Sequence, residues 1–330
     1  MPRILLFGAG SIGAAYIYIF TKGGAQVTAV CRSNYPAAKA NGFTINSTLW
    51  GDVHVRPEVV QTPSEASGPW DFVVVCSKAM PKERISTVEM IRPAVGPTTT
   101  IVIIQNGIAV EEAYAACFPE NPILSGVVYL PATQTAPAVI AHKEVELLYI
   151  GTFPANAPDA HKASAAAFAA IIKAGGGTVE VHDDVQVQRW SKLMVNAAWN
   201  PTCALTRSRD AQFLKSSPGA VDFVRSVMCE VASVAQAVGY AEINAEMIEF
   251  QISRATARDL PGVEPSMLAD ALAGRAMEVE AIVGNTVRIA QDHGVKTPLL
   301  DALYALAKAL DTENKGKRTE TQISHILGGV

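Results

Sequence analysis

RILLFGAGSIG, residues 3–13, joins a short apolar run directly to a Gly-x-Gly-x-x-Gly hexapeptide. An apolar pentapeptide that stops on Gly8 reads as a buried strand, and the segment beyond Gly13 reads as a helix. In that setting Gly8 permits the tight turn and Gly10 lets the backbone approach a pyrophosphate. Gly13 permits close helix–strand packing, and Ser11 and Ile12 lie where the opening turn offers free N–H groups to the phosphates. A purely structural glycine turn has the same letters; the strand–turn–helix context favours dinucleotide binding.

Outward from this loop, the first half alternates strand-like and helix-like segments, as a parallel sheet wrapped by helices does. QVTAV (26–30), DFVVVC (71–76) and TTIVII (99–104) are apolar runs suited to strands covered on both faces. GVVYL (126–130), AVIAH (138–142), ELLYIG (146–151) and GTVEVH (177–182) are further strand candidates. From about residue 186 to 310 the periodicity is helical. HDDV (182–185) reads as the turn between domains at 1–183 and 184–330. The polar stretch DTENKGKRTETQ (311–322) reads as a solvated surface segment.

The chain has 330 residues, 49% hydrophobic and 18% charged, which suits about two domains with sizeable cores. A net charge of −4 gives no reason to expect nucleic acid as a partner. No run approaches the ~20 apolar residues of a membrane span. The opening glycine pattern argues against a signal peptide. Five dispersed cysteines without a CxxC suggest reduced thiols and a cytoplasmic protein. The six histidines show no metal-ligand spacing, and no metal is expected.

The second strand bears on which dinucleotide is bound. An NAD site usually places Asp or Glu at its end, yet VTAVCRSN (27–34) offers Arg32. A guanidinium can clamp a 2′-phosphate that a carboxylate would repel, so NADP (NADPH) is the expected cofactor. Lys78 in VVVCSK and Asn106 in IVIIQNG end later strands at the same edge of the sheet. Either alone reads equally as a solvated residue or a turn signal.

KLMVNAAWN (192–200) sets Lys192, Asn196 and Asn200 four apart, so successive ones lie about 40° apart on one helix face. Apolar residues fill the gaps. A desolvated lysine is costly unless something opposite it needs a charge or a proton. SMLADALAGRAMEVEAIVGN (266–285) reads as one long amphipathic helix with Ser266 as a candidate N-cap and Glu278 and Glu280 near its middle. A glutamate facing Lys192 would make both charges tolerable.

GAGSIG, CSK, QNG, KLMVNAAWNP and EVEAIVG, in this order over nearly the whole chain, resemble the ketopantoate reductase (2-dehydropantoate 2-reductase) family. The resemblance implies an α/β protein. Its N-terminal Rossmann-type doubly wound sheet would precede a C-terminal all-helical domain, 6-phosphogluconate-dehydrogenase-like, with the active site between the two. It implies Lys192 as catalytic lysine, Glu278 as active-site glutamate and Asn196, Asn200 and Ser266 as substrate-binding residues. Lys78 and Asn106 would line the cofactor and substrate site, and Arg32 fits a preference for NADPH. The implied reaction is NADPH-dependent reduction of 2-dehydropantoate to pantoate, in pantothenate biosynthesis, with a small 2-oxo acid as partner and a homodimer as the candidate assembly. Two positions depart from the bacterial pattern, Asp210 and Val263 standing where that pattern has asparagine. A carboxylate there would repel an anionic substrate, so a different 2-oxo acid stays open.

Two rival readings are weighed. A β-hydroxyacid or 6-phosphogluconate-type dehydrogenase also uses Lys and Asn four apart, but DVQVQRWS, not a glycine-rich segment, precedes Lys192. A non-catalytic NADP-binding sensor would have no use for Lys192 and Glu278 together.

Overall fold

The computed structural model describes residues 1–80, 86–143 and 145–327. It divides into two compact units, Met1–Asn106 with Val110–Gln186, and Gly107–Ala109 with Val187–Val330.

The first unit runs β1 (Arg3–Phe7), α1 (Ser11–Lys22), β2 (Gln26–Val30), α2 (Tyr35–Asn41), β3 (Phe43–Ser47), β4 (Gly51–Val55) and β5 (Glu58–Val60). It continues through β6 (Phe72–Val75), α3 (Thr87–Ile91), β7 (Thr100–Ile103), α4 (Glu112–Cys117) and β8 (Ile123–Tyr129). β9 (Ala132–Ala136), β10 (Val139–His142), β11 (Leu147–Thr152), α5 (Asp159–Ala174) and β12 (Val179–Val181) complete it.

The main sheet has the order β12-β11-β8-β7-β6-β1-β2-β5. Every neighbouring pair from β5 to β8 is parallel. Numbered along the chain, those strands follow the 3-2-1-4-5-6 order of a dinucleotide-binding sheet. The Rossmann-type architecture expected from the glycine loop is therefore present. β11 adds antiparallel to β8, and β12 parallel to β11. FVVV of β6 and TIVI of β7 are buried along their whole length, as strands covered on both faces must be.

A second sheet, β4-β3-β10-β9, was not expected; of its strands only β10 was a candidate, and β3 and β4 lie between residues 30 and 71, where none was expected. Its β3–β4 hairpin alternates too briefly to stand out, and β3 gains a parallel partner only when β10 arrives far along the chain. Phe43, Ile45, Val55 and Ile140 bury its inner face.

The second unit carries α6 (Gln186–Thr206, from Val187), α7 (Asp210–Leu214), α8 (Ala220–Ala237), α9 (Ala245–Thr256) and α10 (Ser266–Leu272). A π-helical turn, Glu280–Gly284, then leads into α11 (Asn285–Asp292), and α12 (Pro298–Leu327) follows. Trp190, Leu193, Met194, Met228, Val231 and Ile282 belong to its core.

Two expectations are corrected here. The single helix over 266–285 is broken after Leu272, where Gly274 adopts φ +61. Arg275 folds back, its N–H donating to the Asp270 carbonyl at 2.8 Å and its Nε to Asp270 Oδ1 at 2.9 Å. Apolar spacing alone does not register such a break. Glu278 thus precedes the π turn and is not mid-helix. The 311–322 stretch continues α12; Thr312 and Glu313 are exposed as expected, but Asp311 and Asn314 are buried, and the side chains of 315–322 lie outside those described. Asp311 Oδ1 accepts the Met277 N–H at 2.9 Å, pinning the irregular segment before Glu278.

Candidate functional site

In the first unit, Gly8 takes φ +96, and a Cβ there would lie 2.4 Å from Ser77 N. A Cβ on Gly13 would lie 2.4 Å from Gly8 O and 2.9 Å from Leu6 Cδ2, so the loop and α1 pack on β1 more closely than any side chain allows. Gly10 is exposed, with nothing within 4 Å of where its Cβ would be. α1 starts at Ser11, followed by Ile12, with no acidic residue in its first turn. An open glycine before a helix start of positive dipole suits a pyrophosphate, and these residues fit the implied dinucleotide.

Arg32 is exposed two residues beyond β2, Lys78 is exposed beyond β6, and Asn106 is half-buried beyond β7. All three follow carboxyl ends of parallel strands, the edge at which such sheets bind ligands. Asn34 was not expected as a site residue. It is buried, and its Nδ2 donates to Ala9 O at 2.9 Å. Asn34 and Gln134 also exchange amide hydrogen bonds of 2.8 and 3.0 Å, fastening the glycine loop to β9. The chain distance to Gln134 hid this pair.

In the helical unit, Lys192 and Asn196 are partly buried on α6, and Asn200 is fully buried. Asn200 Oδ1 accepts the Met267 N–H at 3.0 Å and the Ser266 hydroxyl at 3.3 Å. Ser266 is therefore the first residue of α10 and not its N-cap, which is Pro265. Asn200 satisfies the amide that a cap would otherwise serve.

Burial lowers the Lys192 pKa, the Arg189 guanidinium lowers it further, and Glu278 opposes both; the balance is about 7. The Lys192–Glu278 pairing that the sequence only permitted is thus an electrostatic interaction in the structure. Glu278 and Glu280 are both buried but differ in role. Glu280 accepts from Tyr304 Oη at 3.0 Å, Lys308 Nζ at 2.6 Å and Arg288 Nη1 at 3.1 Å. Burial raises its pKa, but these partners prevail and hold it at about 2. Glu280 is a structural anion; Glu278 acts electrostatically on the lysine.

Arg189 was missed in the sequence, although an arginine one turn before Lys192 in an apolar helix was a usable signal. It is buried, and its Nη1 donates to Gly107 O at 3.0 Å. A Cβ on Gly107 would meet Ala281 O at 2.3 Å. Ile108 N–H donates to that oxygen at 3.0 Å, and Asn285 Nδ2 to Ile108 O at 2.7 Å.

Asp210 is buried, its carboxylate paired with Arg258 and accepting the Val263 N–H at 2.7 Å and the Ala211 N–H at 2.6 Å. Its charge is compensated by these groups, and Val263 contributes its backbone while its side chain is half exposed. Among the described residues no helix is long and apolar enough to cross a membrane, and no three His, Cys, Asp or Glu gather as a metal site.

Residues 4–155 match the family model described as ketopantoate reductase PanE/ApbA, and residues 184–311 match that of its C terminal domain. An uncharacterized protein of Saccharomyces cerevisiae is 29% identical, covering 96% of both chains. The 2-dehydropantoate 2-reductase of a Nostoc species is 26% identical over 95% of this chain and 96% of its own. The crystal structure of 2-dehydropantoate 2-reductase from Methylococcus capsulatus superposes with a TM-score of 0.82 at 34% identity, covering 94% of this chain and 97% of that one.

The Asp210 contacts make a prediction. Asp210→Asn should lower the thermal midpoint, with a loss of about 2 kcal/mol for hydrogen bonds to a charged group. An unchanged midpoint together with faster 2-dehydropantoate reduction would return this position to the substrate.

Proposed function

The chain belongs to the ketopantoate reductase family, oxidoreductases acting on CH–OH groups, and from that premise we propose that it reduces a 2-oxo acid with NADPH. The named reaction is 2-dehydropantoate to pantoate, in pantothenate biosynthesis in the cytoplasm, with a homodimer as the assembly. One observation carries the reading: a lysine that burial, helped by Arg189 and opposed by Glu278, brings to a pKa of about 7, on the helix whose next polar residues are Asn196 and Asn200.

The Gly8–Gly13 loop, Lys78 and Asn106 would hold the cofactor, and Arg32 its 2′-phosphate. When bound, NADPH supplies a hydride for the ketone carbon. Lys192 hydrogen-bonds the carbonyl oxygen and gives it a proton as alkoxide charge develops. A pKa close to neutral lets this group both hold and release the proton at working pH. Glu278 steadies the ammonium form, against the burial that disfavours it.

Ser266, with Asn196 and Asn200, would fix the substrate carboxylate. The Ser266 hydroxyl donates to Asn200 over a long 3.3 Å. That weak bond is readily exchanged for a charge-assisted one to a carboxylate. Asn200 stays satisfied meanwhile, because the Met267 N–H still donates to it.

Steady NADPH oxidation with 2-dehydropantoate tests the reading; turnover with only another 2-oxo acid would keep the chemistry and replace the substrate. Lys192→Ala should lower kcat by about 10² to 10⁴, the range for lost general acid catalysis, with NADPH affinity almost unchanged. An active variant would remove Lys192 from the mechanism. Arg32→Ala should raise the KM for NADPH far more than that for NADH, whereas equal losses would show that Arg32 does not read the 2′-phosphate.

A further inference from the structure

Arg189 lies three residues before Lys192 on α6, about 60° around the helix, so the two side chains share a face. A guanidinium keeps its charge across the whole working pH range, so here it is a fixed cation. It is 3% exposed, where solvent screens its field little. Its position is set by the 3.0 Å bond from Nη1 to Gly107 O. That carbonyl cannot drift, because Gly107 is packed on Ala281 and Ile108 is bonded to Ala281 O and Asn285 Nδ2. The anchor ends beside the π turn that follows Glu278, the anion acting on the same lysine.

We propose that Arg189 is a positioning residue for Lys192: its buried guanidinium, on the same helix face and tethered to the Gly107 carbonyl, acts on the lysine so that it gives up its proton more readily than burial alone would make it. Among the described residues, charged groups acting on Lys192 include Arg189 from its own helix and Glu278 from the segment before the π turn. Burial and Arg189 push toward the neutral amine, while Glu278 pushes toward the ammonium. Removing the fixed cation tips the balance to the ammonium, which holds its proton more tightly and releases it more slowly. The proposal rests on the reading of Lys192 as proton donor, but the titration itself can be followed without turnover.

The test is competitive acetylation of the whole protein across pH, with the reactivity of Lys192 read by mass spectrometry. Arg189→Gln keeps a donor for Gly107 without the charge, Arg189→Met removes both, and Arg189→Lys keeps the charge. Lys192 should titrate near 7 in the parent. In both neutral variants its midpoint should rise by about one unit or more, the effect of one nearby charge. Arg189→Lys should stay near the parent. The pH profile of kcat/KM should move by the same amount in the neutral variants. An unmoved Lys192 midpoint in whichever neutral variants fold overturns the proposal. An active Lys192→Met enzyme is a different result, which would remove the catalytic reading and leave the coupling to Arg189 intact.

Discussion

A lysine ammonium that loses its water must either find compensating charge or release its proton. Lys192 is held at that balance point, with burial and Arg189 on one side and Glu278 on the other. Much of the helical unit bears on this balance. α6 sets Arg189 and Lys192 on one face, and Gly107 holds the guanidinium. Asp311 pins the segment before Glu278 through the Met277 amide. Changing any of these supports moves a charge relative to the lysine, and therefore the pH at which the lysine titrates.

Glu278 and Glu280 show how environment, not residue type, assigns a role. Two positions apart, both are buried. Glu280 has a phenol, an ammonium and a guanidinium on it and stays ionised far into acid. With its partners drawn from α11 and α12, it ties the π turn to the helices that follow. Glu278, just before that turn, acts on Lys192. The break after Leu272 is what separates the glutamates from α10, leaving Glu278 before the π turn and Glu280 as its first residue.

Much of this was legible in the sequence because it depends on local spacing. The glycine loop, the apolar strands and the four-residue interval of Lys192, Asn196 and Asn200 each lie within one element or one turn. The second sheet was not legible, since the parallel partner of β3 is β10, far along the chain. The helix over 266–285 misled because Gly274 and the Arg275–Asp270 contacts outweigh an unbroken apolar pattern. Asp311 reads as solvated in a polar run, yet it is buried on the Met277 amide. Asp210 reads as a repulsive substitution, yet Arg258 neutralises it. In each case the missing information was the distant partner, which composition and periodicity do not carry.

In the proposed reaction one near-neutral lysine exchanges a proton with the substrate oxygen. The most direct measurement is kcat/KM against pH in both directions, 2-oxo acid reduction and 2-hydroxy acid oxidation, on one preparation. Reduction needs the protonated lysine, so its rate should fall as pH rises through about 7. Oxidation needs the neutral amine, so its rate should rise through the same value. Mirror-image profiles crossing near that pH are expected; profiles that stay flat into alkaline solution, or that rise together, would show that Lys192 is not the proton donor.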